Sequence, residues 1–498
     1  MIPSLDCVGN LGKREKESME EQQIRAVVER VLQQLQRPSP GPTCGLAPQT
    51  SPLYQPGSKA TAGAGAFPEV DQAVQAAGEG FKALSRHTLA DRERFIRAIR
   101  ETARTHAPEI AKETVAETGM GRVEDKIVKI QGVADRTPGT EDLHPIAYTG
   151  DQGLSVVEMA PFGVICAITP TTNPAPTIFN NTISMVSAGN AVVFGPHPGA
   201  KGVSRRAVEL INEAVQRAGG PPNVVTILAE PSIERANALL SHPAIRLNVV
   251  TGGPGVVSAA QQAGKKYIAA GPGNPPVVVD ETALIPQAAR EIVFGASFDN
   301  NILCVAEKEV FVVDRVADQL LAEMERAGAY RLPPSSLDAL TRLVIAEDHG
   351  PGKHSVVNKE CIGKDASVIL GRIGLNVPPE TRLVILETAV EHPLVWSEQM
   401  MPVLPIVRVP DVDRAIELAL QAEHGFLHTS LMHSLNLEKL DKMAKLVNTT
   451  LFVKNGHSLS GEGPITYTIA TPTGEGFTTA QTFTRRRRCA LVNYFRIV

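Results

Sequence analysis

The sequence predicts an α/β protein built on parallel sheets and organised as two successive α/β segments. Three observations predict it. Between about 160 and 280 the apolar runs VICAITP, NAVVFGP, NVVTIL, LNVVTGG and PVVVD alternate with helical stretches such as KGVSRRAVELINEAVQRA at 201–218, the pattern of repeated βαβ units. The run LNVVTGG leads straight into a glycine-rich turn that opens a helix, as in nucleotide-binding sheets. A second α/β segment spans 281–455, with helices around 284–296, 316–326 and 412–422 and the strands EVFVVD, RLVIL and PVLPIVRV.

At 498 residues the chain is several times longer than one compact core requires, so two or three domains are expected. Lys plus Arg number 49 against 53 Asp plus Glu, a net charge of -4, which is too even for a protein dedicated to phosphate backbones. Aromatic residues at 4% leave little for base-stacking platforms. No run approaches the roughly 18 apolar residues that span a bilayer, so a soluble protein is expected. Cys7, Cys44, Cys166, Cys304, Cys361 and Cys489 are scattered without a CxxC pair, which argues against a disulfide framework and a zinc knuckle and for a reducing cytosol. The N-terminus has no apolar h-region of a secretory signal.

Residues 20–35 place Ile24, Val27, Val28, Val31, Leu32 and Leu35 on one face of an amphipathic helix. Met19, directly before it, is a second candidate start of translation. Residues 37–66 are rich in Pro, Gly, Ala and Ser and read as a flexible linker. A tethered apolar stripe calls for a partner groove, or else folds back on the main body.

Four segments could carry chemistry. Gly252, Gly253 and Gly255 lie in the strand-to-helix turn of LNVVTGGPGVVSAAQQAG; bare N–H groups there suit a phosphate, though the spacing is not GxGxxG and such turns are also purely structural. In FDNNILCVAEKEVFVV, Cys304 lies between a helix-like stretch and a strand beside Asp299, Asn300 and Asn301. Such loops expose nucleophiles, but a lone cysteine is as readily a small buried hydrophobe, as Cys166 in VICAI is expected to be. In ITPTTNPAP, prolines stiffen the loop around Asn173, whose amide suits an oxyanion or simply forms a turn. RRRRC at 485–489 suits phosphates, a neighbouring subunit or solvent.

Together these segments resemble the aldehyde dehydrogenase superfamily, specifically its CoA-acylating branch of microcompartment propionaldehyde and acetaldehyde dehydrogenases. The resemblance covers about 66–498 and rests on ITPTTNPAP, VVFGPHPGAK, VVTGGPGVV, AAGPGNPPVVVD, NNILCVAEKEVFV and EQMMPVLPIV in that order. It implies two Rossmann-like α/β domains plus a β-arm for oligomerisation. The implied boundaries are an N-terminal extension at 1–36, the linker at 37–66, a dinucleotide-binding domain at 67–280 with an arm at about 140–158, a catalytic domain at 281–455 and a C-terminal segment at 456–498. By position Cys304 is similar to the family's nucleophile and Asn173 to its oxyanion-hole amide. Thr169, Pro170, Thr171, His197, Thr251, Gly252, Gly253, Gly271, Glu398 and Pro402 fall at its cofactor positions, with Glu398 matching the acid that contacts the nicotinamide ribose.

Two departures carry information. Hydrolytic members have an ELGGK-type segment whose Glu activates water, and Ala269 stands at that place in AAGPGNP. Water has a pKa near about 15.7 and a thiol near about 8.5, so loss of the base fits release of the acyl group to a thiol. The superfamily's ribose-binding Lys is replaced by Gly195 in GPHP, which leaves the choice between NAD and NADP open. The resemblance thus implies oxidation of a short aldehyde, propionaldehyde as best guess, with NAD and coenzyme A through a Cys304 thioester, reversibly and inside a bacterial microcompartment. It further implies shell docking by 20–35 as an encapsulation tag, and a dimer or tetramer in which 140–158 and 480–498 pair between subunits. The competing readings are a hydrolytic aldehyde dehydrogenase and an inactive shell-binding scaffold. No nucleic acid, membrane or metal partner is expected.

Overall fold

The computed structural model describes residues 65–460 and 469–497. The helix expected at 20–35, Met19 and the linker up to 64 lie outside the described residues. The linker was expected to run to Ala66, but Ala66 already pairs with Ile227 in a strand, because Gly65 lets the chain enter the sheet with its φ of 77°.

The described strands, in chain order, begin with β1 (Ala66–Phe67), the hairpin β2 (Ile146–Gly150) and β3 (Gly153–Pro161), then β4 (Val164–Ile168), β5 (Ala191–Gly195), β6 (Val225–Leu228), β7 (Ile245–Thr251) and β8 (Tyr267–Ala270). These are followed by β9 (Pro276–Val279), β10 (Glu309–Val313), β11 (Ala329–Arg331), the short pair β12 (Ile345–Glu347) and β13 (Val356–Val357), and β14 (Leu383–Glu387). Last come β15 (Val403–Val409), β16 (Thr429–His433), β17 (Leu451–Lys454), the pair β18 (Ile469–Ala470) and β19 (Gly476–Phe477), and β20 (Thr484–Val492).

One parallel sheet has the order β1-β6-β5-β4-β7-β8. Its central strands read as unbroken apolar runs because both faces are covered. Alternate residues separate cleanly. Ile165, Ala167, Val192 and Phe194 pack with the helices Leu89–Thr118, Pro174–Ser187 and Lys201–Arg217, while Val164, Cys166, Ala191 and Val193 pack with Val70–Leu84 and Ile233–Ser241. Cys166 is fully buried there, and burial pushes its thiol far up, as an inert core residue requires. The strand order reverses between β4 and β7, which opens a crevice beyond their C-terminal ends.

The second parallel sheet has the order β11-β14-β15-β10-β9-β16-β17. PVVVD was grouped with the first sheet, but as β9 it is the interior strand between β10 and β16 of the second. A buried parallel strand looks alike in either sheet, and only the crossover 271–275 decides its membership. That crossover joins the C-terminal end of β8 to the N-terminal end of β9, so these two edges, one from each sheet, lie side by side.

The third sheet, β2-β3-β20, is antiparallel. Segments 140–158 and 480–498 were expected to pair between subunits; instead β20 pairs with β3 of its own chain over nine residues, from Thr484 opposite Pro161 to Val492 opposite Gly153. Gly153 is required at this close approach, since a Cβ would lie 1.9 Å from the Leu491 carbonyl oxygen. Asn190 ties this sheet to the core: its Oδ1 accepts from Phe162 N (2.7 Å) and Gly163 N (3.1 Å), and its Nδ2 donates to Phe483 O (2.9 Å) and Met185 O (3.2 Å). Among the described residues no helix is long and apolar enough to cross a membrane.

Replacing fully buried Asn190 by Ala strands these backbone groups. Asn190→Ala is expected to lose roughly 3 kcal/mol of stability in urea unfolding.

Candidate active site

Cys304 follows a turn that the backbone would not adopt unaided. Asp299, Asn300 and Asn301 have φ of 47°, 55° and 62°, the left-handed region, which costs about 1–2 kcal/mol for most residues and least for Asn and Asp. Their side chains hold the turn. Asp299 is fully buried; its Oδ1 accepts from Arg122 N at 2.9 Å, and its Oδ2 is paired with Lys126 at 3.1 Å and Lys129 at 2.5 Å. Burial, with repulsion from Lys129, pulls the Lys126 ammonium down to about 8 despite Asp299. Asn300 Nδ2 donates to Gly363 O and Asp365 Oδ1, and Asn301 Nδ2 donates to Ala296 O and Glu307 O. All three residues are thereby committed to the scaffold, and the thiol that follows is half-buried.

Around Cys304 the N-terminal ends of β9, β10, β15 and β16 converge. A Cβ on Gly273, before β9, would lie 2.6 Å from Cys304 O and 3.1 Å from His428 Cγ, so the crossover passes only as glycine. Lys308, before β10, is fully buried and interacts electrostatically with both Cys304 and Glu398. Glu398, before β15, is 8% exposed; burial pushes its carboxyl up, against the Lys308 ammonium and the Gly273 N–H. Its backbone N donates to His354 Nε2 at 3.2 Å. His428, before β16, has Nδ1 2.9 Å from Thr429 Oγ1 and donates its backbone N to Glu423 Oε1 at 2.8 Å. Burial and the Lys308 charge hold its imidazole down at about 4, so it is neutral at pH 7.

The first sheet contributes its C-terminal edge. Asn173 caps the helix Pro174–Ser187; its carbonyl accepts from Thr177 N and Oγ1, while its buried Oδ1 has no hydrogen-bond partner. Thr169 N donates to Gly195 O, and the hydroxyls of Thr169 and Thr251, after β4 and at the end of β7, are buried without partners. These orphaned polar atoms at the sheet's reversal point fit a dinucleotide, whose polar groups would satisfy them. Pro170 and Thr171 continue the loop after β4, and a Cβ on Gly199 would lie 3.3 Å from His197 Nδ1 and 3.5 Å from Thr171 Oγ1, so the loops after β4 and β5 touch. Gly252 N donates to Ala270 O, and Gly253 caps the helix Pro254–Gln262 with open space around it. At Gly195 a Cβ would meet Ile168 Cδ1 at 2.6 Å, so the space a lysine stem needs there is filled by isoleucine.

Ala269 is fully buried in β8, its N donating to Thr473 Oγ1 at 3.1 Å, and presents no carboxylate. Gly271 packs on Pro472. Pro402 is buried at the start of β15, where its carbonyl accepts from Val384 N at 2.9 Å, within the second sheet rather than on the first sheet's edge. Sequence reading missed Lys308, His428 and the Asp299–Lys126–Lys129 group. The charged triplet EKE at the mouth of an apolar strand, and two histidines within HGFLHTS, were the available signals.

Residues 50–465 match the model of a family described as the aldehyde dehydrogenase family. Over 440 residues, 87% of this chain and 94% of the relative, the chain is 51% identical to acetaldehyde dehydrogenase (acetylating) EutE of Salmonella typhimurium. Among solved structures it is similar to Rhodopseudomonas palustris propionaldehyde dehydrogenase with bound CoA and an acylated cysteine, at TM-score 0.83 and 47% identity, covering 86% of this chain and 98% of that one. It is also similar to a propionaldehyde dehydrogenase from the Clostridium phytofermentans fucose utilisation bacterial microcompartment, at TM-score 0.84 and 46% identity, covering 87% and 100%.

His428 and His433 both sit at about 4 when folded, against an ordinary 6.5. Between these values the unfolded chain binds the proton first, so stability is full above pH 6.5 and is lost as pH falls toward 4, by about 3 kcal/mol per histidine. Urea unfolding at pH 7, 5.5 and 4.5 is expected to show this slope, and His433→Gln to flatten it.

Proposed function

The chain belongs to the aldehyde dehydrogenase family, and on that premise we propose that it is a CoA-acylating aldehyde dehydrogenase. It oxidises a short aldehyde, propionaldehyde as first choice, to the acyl-CoA with a nicotinamide dinucleotide as oxidant. One observation carries the reading: Ala269, buried and apolar, stands where hydrolytic relatives place their water-activating Glu.

In this reading the Cys304 thiolate attacks the aldehyde carbon, and the Asn173 amide with the Cys304 N–H stabilises the oxyanion. Thr169, Pro170, Thr171, His197, Thr251, Gly252, Gly253, Gly271 and Glu398 would hold the dinucleotide, which when bound supplies the hydride acceptor. The acyl group then rests on Cys304 as a thioester. With no general base at 269, water is a poor acceptor, whereas a thiol with a pKa near about 8.5 is already partly anionic at neutral pH. The acyl group therefore leaves Cys304 for the thiol of CoA. One thioester replaces another, so this step is nearly balanced and the reaction runs both ways.

The hydrolytic alternative lacks its base, and the inactive-scaffold alternative is opposed by the retained Cys304, Asn173 and Glu398. Exposed Tyr148, Leu491 and Val492 on the three-stranded arm support a homo-oligomer, a dimer or tetramer. Residues 20–35 are proposed to dock the enzyme on microcompartment shell proteins.

Short aldehydes assayed with NAD or NADP, with and without CoA, are expected to give acyl-CoA only when CoA is present. Rapid free acid without CoA would refute the reading, and Cys304→Ala is expected to lower oxidation by about a thousandfold or more. Deleting residues 1–40 is expected to abolish co-purification with shells while leaving aldehyde oxidation intact.

A further inference from the structure

Lys308 bonds the turn before Cys304 and interacts electrostatically with Glu398. Its side chain is fully buried. Its Nζ donates to Asn301 O at 2.8 Å, Asn301 Oδ1 at 2.5 Å and Leu303 O at 3.0 Å, which uses all three ammonium protons on the turn that carries the thiol. Its backbone is equally fixed: Lys308 N donates to Pro275 O at 3.0 Å in the crossover, and Lys308 O accepts from Gln399 Nε2 at 2.8 Å, beside Glu398.

We propose that Lys308 is a positioning residue for the reaction: its ammonium locks the Asn301–Leu303 turn and supplies the positive charge that the Cys304 thiolate and the Glu398 carboxylate share. The inference rests on Cys304 being the nucleophile. The other titratable groups facing this ammonium are Glu307 and Glu309 on its own strand and His428 from the loop before β16. Glu307 is committed to Ser458, accepting from its N at 2.9 Å and Oγ at 2.8 Å. Glu309 is fully buried with neither carboxyl oxygen hydrogen-bonded, and burial pushes its carboxyl well up, against the pull of the Lys308 ammonium. His428 is neutral at pH 7. Of the acidic groups that face the ammonium, Glu398 and Cys304 interact with it most strongly, ahead of Glu307 and Glu309. A fixed cation favours the charged form of a thiol, so its removal raises the pH at which Cys304 ionises.

The test is the pH dependence of iodoacetamide alkylation, read at the Cys304 peptide by mass spectrometry, in the full chain and in Lys308→Met and Lys308→Arg. The midpoint is expected to rise by about one pH unit or more in Lys308→Met and to stay within a few tenths of a unit in Lys308→Arg. For Lys308→Met, kcat/KM at pH 7 falls at least about tenfold and recovers in part as pH is raised. A purely structural lysine would alter stability without moving the midpoint. An unchanged midpoint in folded Lys308→Met, or an equal rise in Lys308→Arg, would overturn the proposal. If Lys308→Met does not fold, Lys308→Gln, which keeps N–H donors toward the turn without the charge, decides in the same way: a raised midpoint supports the proposal and an unchanged one overturns it. Peptide-resolved alkylation reports the thiol whether or not it is the nucleophile. Failure of the functional reading appears separately, as alkylation of Cys304 without loss of activity.

Discussion

Asp299 is buried against the side chains of Lys126 and Lys129, and burying an ion costs several kcal/mol unless its neighbours neutralise it. The two lysines come from the helix Val123–Arg136, packed under the first sheet, and the aspartate from the turn that precedes the second sheet's β10. The ion pairs thus join the two halves. The same turn is gripped from its other side by Lys308, so three left-handed residues in succession persist because both lobes over-determine them. Cys304 follows that turn, so the buried ion pairs fix where its thiol stands.

The two sheets serve different parts of the chemistry because of which edges they present. Parallel strands with both faces covered are rigid and apolar, and polar groups appear only where the strands end. The first sheet offers C-terminal ends, where helix N-termini and small residues leave room for a dinucleotide, with the Thr169 and Thr251 hydroxyls waiting for partners. The second offers N-terminal ends, where Cys304, Lys308, Glu398 and His428 gather. The five-residue crossover 271–275 sets the distance between them, and Gly273 permits it by lacking the Cβ that would strike the Cys304 carbonyl.

On the proposed reading, selectivity for the acyl acceptor follows from what is missing as much as from what is present. An alanine buried in β8 cannot deprotonate water, and Glu398 is engaged by the Gly273 N–H and the Lys308 ammonium. A thiol needs less help than water to become a nucleophile, so on the proposed reading the missing base at 269 disfavours water and leaves CoA as acceptor. At Gly195 a Cβ would meet the tip of Ile168 at 2.6 Å, so the end of β5 packs closely as glycine.

Much of this was legible in the chain itself. The unbroken runs VICAI, AVVFG and EVFVV declare strands covered on both faces, the helices at 285–297 and 412–422 lie where their periodicity puts them, and DNN before a cysteine declares a turn. These signals are local, set by residues within a few positions of one another. Non-local pairing decided the rest. PVVVD is as good a strand for one sheet as for the other, and the strand-like stretch after RRRRC names no partner. Only the folded chain shows β20 lying on its own β3. Lys308 and Glu398, ninety positions apart, come together because β10 and β15 are neighbours, and a charged residue's role depends on what surrounds it after burial, which no local pattern encodes.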